Sequence, residues 1–361
     1  MSILFQPIKI GSMTVKNRFV RSATHDWLGN EDGSVSAEQI KLYQSLAEND
    51  IGLIITAFVN VQHPLGKAIA KQNTLHSDEF IDGYKKIVEA VQPHGTKLII
   101  QLAHAGRQTS PVVLEGNIPV APSPVGKDEK RRPREITEAE ILQVIEDFIS
   151  AMVRAESAGC DGVQIHLAHG YLLSQFISPY TNRREDQWGG SLENRFRIVR
   201  EIIVGAKKKL KPDFPILVKL NTTDGFSGPE FLTLDEALTI AKMLEQLGVT
   251  AIEVTGGINE ARNCTSAINI KEPEQEAYFQ EAARAIKAQV QIPVILVGGL
   301  RTFDVMEDLV ANGTADLVSL SRPFIREPDL VTKFKQGAPK ATCVSCNACF
   351  NPKGAYCYYK G

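Results

Sequence analysis

The feature that most constrains the fold is a repeated alternation of short apolar segments with longer amphipathic ones. Eight segments rich in β-branched residues are predicted as strands: FVRSA, GLIITAF, KLIIQL, GVQIH, PILVKL, AIEVT, PVILVGG and ADLVSL. Helical patterns separate them at 37–49, 77–94, 137–159, 192–210, 233–247, 274–288 and 304–312. Near-continuous apolar strands that alternate with helices indicate a buried parallel sheet, and eight such units within 361 residues are typical of a (β/α)8 TIM barrel. A doubly wound open sheet is the alternative, but no G-x-G-x-x-G follows the first strand.

The composition of the chain argues against nucleic acid and membranes as binding partners. The chain carries a formal net charge of -2 and is 43% hydrophobic. It can therefore bury a large core, and no global field attracts nucleic acid or an anionic membrane. No run of about 18 uncharged apolar residues occurs, and the first residues do not resemble a signal peptide. We expect a cytoplasmic protein that acts on small molecules and binds neither nucleic acid nor membranes, and the composition leaves a homo-oligomer open.

A long excursion follows the third predicted strand. Residues 108–133 contain five prolines and a basic cluster formed by Lys127, Lys130, Arg131 and Arg132. A loop of this length at the active-site face of a barrel is often a lid. The charges are interpreted as a solvated rim, with the attraction of a pyridine nucleotide as the alternative.

Polar residues follow the fourth predicted strand directly. In GVQIHLAHGY, the strand ends near His166, and His169 and Tyr171 come next. Polar groups at the C-terminal end of a barrel strand face the active site. Two imidazoles can donate to one substrate oxygen while a phenol delivers a proton, so these three residues are the predicted catalytic set. An isolated HxxH would more often be a structural pair or half of a metal site.

The extended segment resembles the old yellow enzyme family of FMN-dependent ene reductases. That family carries HxxHGY followed by SPxxNxRxDxxGGSxENR, and this chain reads HLAHGY and then SPYTNRREDQWGGSLENR. The resemblance continues in KNRFVRSAT, QLAHAGR, PREIT, VGGLRT and SLSRPFIREPD, so it spans nearly the whole predicted barrel. It implies FMN as the bound cofactor and NAD(P)H as a transient reductant.

Position in the barrel predicts where the FMN phosphate binds. Gly298 and Gly299 end the seventh strand, and Ser321 and Arg322 end the eighth. Loops after these two strands often form a phosphate site, because glycine lets backbone N–H groups approach an anion and arginine supplies the countercharge.

The resemblance adds contacts along the isoalloxazine ring. It places Gln101 at the pyrimidine edge and Lys219 near N1 and O2, where relatives usually have arginine. A cation there stabilises anionic reduced flavin. Further flavin contacts are implied at Ser22, Ala23, Thr24 and Ala57, and substrate contacts at His25 and Trp27.

The C-terminal segment is cysteine-rich, and the predicted domains are a barrel at 1–337 and a tail at 338–361. Four cysteines form C-x2-C-x2-C-x7-C: Cys343, Cys346, Cys349 and Cys357. Thiolates so spaced can bind an iron–sulfur cluster or zinc. TCVSCNACF resembles the 2,4-dienoyl-CoA reductase and trimethylamine dehydrogenase branch, in which a [4Fe-4S] cluster receives electrons beside the FMN. The second gap is one residue shorter here, so a cluster, zinc and no metal all stay open.

Three functions are consistent with the sequence. The leading one is an FMN oxidoreductase that passes hydride from NAD(P)H through flavin N5 to an activated alkene. The second is an amine dehydrogenase or demethylase that passes electrons to a tail cluster. The third is a barrel without flavin that serves as a scaffold, with its tail held by zinc.

Overall fold

The computed structural model describes residues 2–126 and 132–360, except the side chains of residues 262 and 263. Thirteen strands occur in this part of the chain, in the order β1 Ile8–Ile10, β2 Met13–Val15, β3 Phe19–Arg21, β4 Leu53–Ile55, β5 Val59–Asn60, β6 Lys97–Ala103, β7 Val120–Ala121, β8 Arg134–Glu135, β9 Gly162–Leu167, β10 Ile216–Asn221, β11 Ala251–Thr255, β12 Val294–Val297 and β13 Leu317–Leu320. Each of the eight strands predicted from the sequence is present.

These eight strands close into a barrel. β3, β4, β6, β9, β10, β11, β12 and β13 pair in parallel in that order, and β13 pairs with β3 to complete the ring. The TIM-barrel prediction is confirmed, and the doubly wound alternative is wrong because the eight strands close on themselves. Closure places all eight strand C-termini around one mouth.

Helices surround the barrel. Their bounds are α1 Ala37–Glu48, α2 Ile81–Val91, α3 Glu138–Ser157, α4 Leu172–Ile177, α5 Leu192–Lys209, α6 Leu234–Gln246, α7 Arg262–Thr265, α8 Gln280–Lys287, α9 Phe303–Ala311, α10 Arg322–Arg326 and α11 Leu330–Lys335. No helix among the described residues is long and apolar enough to cross a membrane.

Side-chain caps fix several helix starts. α3 begins after Thr137, whose hydroxyl accepts from the Glu140 N–H while the Glu140 carboxylate accepts from the Thr137 N–H. This reciprocal capping box satisfies two of the N–H groups that a helix start leaves unpaired. The predicted helix at 274–288 is wrong in its first half. Ala277 has a φ of +53°, and the Glu276 carboxylate accepts the Arg301 and Thr302 N–H groups instead of continuing a helix.

The interior of the barrel is divided along its axis. The β1–β2 hairpin and the early residues of the barrel strands form one apolar cluster: Ile10, Met13, Val15, Val20, Leu53, Ile55, Ile99, Leu217, Ala251, Ile295 and Leu317. Farther along the same strands, polar side chains are buried instead, including Gln101, His166, Lys219 and Glu253. This apolar cluster fills the N-terminal end of the barrel, so the buried polar side chains lie at its C-terminal mouth.

The excursion after β6 is tied to the barrel at several points. β7 pairs with β8 in parallel, and the Arg107 guanidinium donates to the Val125 carbonyl and to the Glu260 carboxylate, at 3.0 and 2.8 Å. Lys127, Lys130 and Arg131 of the basic cluster lie outside the described residues, while Arg132 donates to the Pro124 carbonyl and is exposed. The lid role stays a prediction.

The cysteine tail follows the barrel without regular secondary structure. It begins with one bridge between Thr302 and Lys340, and the Ala355 N–H donates to the Asp26 carbonyl at 2.8 Å. Tyr356, Tyr358 and Tyr359 remain exposed. The boundary at residue 337 stays a prediction, since the tail lies against the barrel mouth.

Candidate active site

The candidate active site is a cavity of about 270 Å³ lined by residues at the C-terminal ends of the barrel strands. Active sites of TIM-barrel enzymes lie at this end. Most residues predicted from the sequence line the cavity: Ser22, Ala23, Thr24, His25, Gln101, His166, His169, Tyr171, Lys219, Gly299, Ser321 and Arg322. The fold thus brings together groups from both ends of the chain.

Three predicted residues lie outside the cavity lining. The Ala57 N–H donates to the Tyr43 hydroxyl at 2.9 Å, and the residue is buried. Trp27 meets the edge of His25, with 4.4 Å between ring centroids. Gly298 has a φ of +145°, a conformation that favours glycine. These residues shape the wall through their neighbours.

The two histidines and the tyrosine form one aromatic group. The His166 ring lies 5.1 Å from that of His169 and 4.9 Å from that of Tyr171, between centroids. Phe58 packs against Tyr171 at 5.2 Å. This spacing allows both imidazoles and the phenol to reach one small ligand.

Burial sets the protonation states of this group. It lowers the pKa of His169 to about 3, with Lys219 adding to the effect. It also lowers the pKa of His166 well below the usual value, helped by His169 and Lys219. Burial raises the pKa of Tyr171 to about 12. Near neutral pH the imidazoles are therefore neutral, and the phenol carries its proton.

Hydrogen bonds determine which ring nitrogens are available. His169 Nε2 lies 2.9 Å from the Thr255 hydroxyl, whereas His166 Nδ1 is buried without a partner among the described residues. For His169 to donate through Nδ1, its Nε2 must accept the Thr255 proton. Thr255 is therefore in position to set the tautomer of His169.

The floor of the cavity is organised by a residue that the sequence reading did not select. Glu253 is fully buried at the centre of β11. Its carboxylate accepts from the Ser22 and Ser319 hydroxyls at 2.7 and 2.8 Å, from Gln164 Nε2 at 2.9 Å, and from Lys219 Nζ at 3.3 Å. The available signal was an acidic residue inside the apolar segment AIEVT.

Glu253 and Lys219 form a buried ion pair. Burial alone would raise the pKa of Glu253, but the Lys219 charge and the hydrogen bonds from Ser22, Gln164 and Ser319 hold it below its ordinary value. Burial lowers the pKa of Lys219, which Glu253 opposes. With four donors around it, the carboxylate is ionised. Glu253 therefore favours the protonated form of Lys219, against the effect of burial.

The opposite end of the cavity suits a phosphate. Arg322 is buried, and its Nη1 donates to the Ala267 carbonyl and to Asn347 Oδ1, each at 2.7 Å. Among the described residues, the backbone N–H groups of Gly299 and Arg322 have no acceptor. Free N–H groups beside a guanidinium are the donors that bind phosphate oxygens. These donors fit the phosphate of an FMN.

A model of the NADH:flavin oxidoreductase / NADH oxidase family matches residues 3–341. The chain belongs to this family. It is 41% identical over 349 residues to an NADH oxidase of Thermoanaerobacter brockii, covering 95% of this chain but 52% of that protein. It is 35% identical over 329 residues to an NADPH dehydrogenase of Geobacillus sp., covering 91% and 92% of the two chains. The structure of the old yellow enzyme homologue from Zymomonas mobilis superposes with a TM-score of 0.78 at 26% identity, over 94% of each chain.

Membership in the NADH:flavin oxidoreductase family confirms the resemblance to old yellow enzymes. The chain spans about half the length of the NADH oxidase, and nearly the full length of the NADPH dehydrogenase. The match covers the barrel and stops before the first tail cysteine, at residue 341.

The four tail cysteines line one cavity of about 20 Å³. Cys343 and Cys349 are buried, while Cys346 and Cys357 are exposed. Arg326 Nη1 donates to Cys357 Sγ at 3.1 Å. In the part of the chain that the structure describes, no three potential ligands stand close enough to hold one metal ion. The donor types thus suit a metal, but their spacing does not form a site.

Proposed function

We propose that the protein is an FMN-dependent oxidoreductase that transfers hydride from NAD(P)H to an activated alkene such as an enone. Bound FMN supplies the two-electron chemistry between the nicotinamide and the alkene. The observation that carries the proposal is the composition of the cavity lining. One cavity is lined by neutral imidazoles, a protonated phenol, a buried lysine and an arginine suited to bind phosphate.

Each polar group of the mouth has a distinct task in this proposal. Gln101 and Lys219 bind the pyrimidine edge of the flavin, and Arg322 with the Gly299 N–H binds its phosphate. His166 and His169 donate to the substrate carbonyl or nitro oxygen, which gains negative charge as hydride reaches Cβ. Tyr171 then gives its proton to Cα. The sum is NAD(P)H, one proton and the alkene converted to NAD(P)+ and the saturated product.

The test separates the two halves of this reaction. The purified protein, loaded with FMN, is reduced anaerobically with NADH or NADPH and then mixed with a panel of enones, enoates and nitroalkenes. We expect the flavin absorbance to bleach and then return, with one saturated product formed per flavin. A flavin that reoxidises with oxygen but with no alkene in the panel would refute the proposal.

One observation favours a second function that runs in the oxidative direction. Ser345 and Phe350, which are next to Cys346 and Cys349 in the sequence, line the same cavity as the catalytic set. On this alternative, FMN takes two electrons from an amine, and an iron–sulfur cluster, were one held by the tail cysteines, would accept them one at a time. Bleaching of FMN by amines in the absence of NAD(P)H would favour it over alkene reduction.

The tail cysteines are proposed to bind iron or zinc. The observation behind this proposal is that all four cysteines line one cavity, and cysteine sulfur is a ligand that both zinc and iron–sulfur clusters use. Elemental analysis with acid-labile sulfide separates a [4Fe-4S] cluster from zinc. Cys343→Ser should lose the metal and Cys160→Ser, a change outside the tail, should keep it. A parent protein purified anaerobically without metal would refute the assignment.

A further inference from the structure

The carboxylate under the proposed flavin site has two consequences for cofactor binding. We propose that Glu253 is a positioning residue that orients the Gln101 amide and offsets the charge of Lys219, and so lowers the reduction potential of bound FMN. This inference rests on the proposed function. It concerns a residue that touches the flavin-binding groups and does not line the cavity.

The location of Glu253 explains why one side chain can control several others. β11 stands beside β10, with Glu253 in register with Lys219. Gln164 on β9 reaches the same carboxylate from the other side of β10, and Ser22 reaches it from the end of β3. Ser22 also accepts from Lys219 Nζ at 2.8 Å. The predicted flavin contacts Ser22, Lys219 and Gln101 are thus joined through one acidic group.

An ionised carboxylate dictates a direction of hydrogen bonding. Because it can only accept, the Gln164 atom 2.9 Å from Glu253 must be the amide nitrogen. Gln164 Oε1 is then turned toward Gln101, whose Nε2 donates to it at 2.7 Å. Gln101 is left with its carbonyl oxygen as the free acceptor. That polarity suits a ring N–H, such as flavin N3–H, and excludes the flipped amide.

The same carboxylate reduces the net charge beneath the cofactor. Lys219 alone would place a full positive charge there, in surroundings where charges act strongly. Paired with Glu253 at 3.3 Å, it presents little net charge. Reduced FMN is anionic, so a smaller net positive charge binds it less tightly relative to oxidised FMN. Glu253 therefore acts against flavin reduction while keeping Lys219 protonated.

The decisive variant is Glu253→Gln, measured as holoenzyme at pH 6, where protonated Lys219 is favoured. We expect the ratio of reduced to oxidised FMN affinity to rise at least about tenfold, which is an upward shift of about 30 mV for a two-electron couple. Oxidised FMN should bind more weakly, because an amide in place of the carboxylate can donate as well as accept and no longer fixes the orientation of Gln164 and Gln101. A potential that stays constant or falls would overturn the proposal.

Three further variants keep the test decisive. Glu253→Asp retains the charge and should keep the potential near that of the parent. Lys219→Met should lower the reduction potential of FMN, a shift opposite in sign to that of Glu253→Gln. This variant tests the proposal if Glu253→Gln does not fold. An unchanged potential in Lys219→Met would count against the charge-offset role of Glu253. Asp224→Asn is the matched control, because Asp224 is fully buried and its carboxylate accepts from Ser178, Leu232 and Asn221 instead of the proposed flavin-binding groups. A shift equal to that of Glu253→Gln in this control would also overturn the proposal.

Failure of this inference is distinguishable from failure of the proposed function. A parent protein that never binds FMN refutes the proposed function. A parent that binds and reduces FMN, with a Glu253→Gln potential identical to its own, refutes only the role of Glu253.

Discussion

The barrel mouth and the cysteine tail are both built from reactive side chains, but they hold them in different ways. In the mouth, polar groups lie on or just after the barrel strands, and Glu253, Gln164 and Thr255 hold Ser22, Gln101 and His169 through hydrogen bonds of 2.7–2.9 Å. In the tail, the cysteines lie on irregular backbone, and two of the four are exposed. The position of a side chain on a barrel strand determines where it lies even when no cofactor is bound. The spacing of cysteines along irregular backbone does not determine where their sulfurs lie.

The two regions are also in contact. Arg322, which begins α10 at the end of the barrel, donates to Asn347 between the tail cysteines. The proposed phosphate end of the cavity is therefore shared between the barrel and the irregular tail. Variants on each side of this contact can separate the contributions of the two regions.

Changes in the histidine pair should give some of the largest effects in the mouth. His166→Ala or His169→Ala removes a donor to the substrate oxygen, and losing one such donor costs roughly 10²–10³ in kcat. The double variant should lose less than the product of both, because the two imidazoles share one acceptor. Rates of flavin reoxidation by an enone measure this, with the exposed His94→Ala as control.

The alternative reading of the HxxH pair as a metal site makes a different prediction. Bound metal would then be lost with either histidine. Metal content that follows His166 and His169, and not the tail cysteines, would contradict the oxygen-binding role.

Arg322→Ala should weaken FMN binding by roughly 10- to 100-fold, because hydrogen bonds to charged groups contribute about 1.5–3 kcal/mol. Arg326→Ala is the matched control from the same helix. It contacts Cys357 and Thr342, so it should change the tail and leave FMN affinity nearly constant. Fluorescence titration of the apoprotein measures both. Equal losses would place the phosphate site away from Arg322.

Acid should destabilise the barrel through its buried histidines, of which the tail has none. Burial lowers the pKa of His104 to about 3, and His166 is shifted the same way. The folded pKa lies below the unfolded value near 6.5, so the unfolded state binds more protons below pH 6.5 and stability falls as pH decreases. His104 should cost about 2 kcal/mol at pH 5, and His166 should add a loss in the same direction.

Urea unfolding at pH 7 and pH 5 measures this loss. His104→Gln can keep the contacts to Gln62 and Gly106. From pH 7 to pH 5 its free energy of unfolding should decrease less than that of the parent. An identical decrease in both proteins would show that His104 binds a proton as readily in the folded state as in the unfolded state.

Asn347→Ala should have the smallest effect. It removes one acceptor that holds Arg322 in place, and the Ala267 carbonyl remains. FMN affinity should decrease roughly three- to tenfold, in line with the loss of one ordinary hydrogen bond. Asn351→Ala is the control, because the Asn351 side chain accepts from the Lys353 N–H and has no bond to Arg322. No change in FMN affinity would show that the tail does not support the phosphate site.

The sequence was sufficient for the barrel because its signals are local and repeated. Eight apolar strands, each followed by helical periodicity, have few other arrangements, and positions at strand ends then predicted where Gln101, Lys219 and Arg322 would lie. The helix error at 274–288 arose because the Glu276 side chain bonds to residues 301 and 302, a long-range contact that periodicity cannot reveal.

The sequence was insufficient where function depends on contacts between strands. Glu253 looked like one polar residue in a core strand, and only the register with Lys219 shows its role. The tail spacing allowed a cluster, zinc or no metal, because chain separation does not determine how four sulfurs converge. The roles of the catalytic set remain predictions that kinetics must test.

The central claim is that Tyr171 protonates the alkene after hydride transfer, and Tyr171→Phe tests it most directly through the two half-reactions. Stopped-flow absorbance of the holoenzyme should show flavin reduction by NAD(P)H at a rate close to that of the parent. Reoxidation by an enone should be slower by roughly 10²–10⁴. Equal slowing of both half-reactions, or no slowing of reoxidation, would contradict the account.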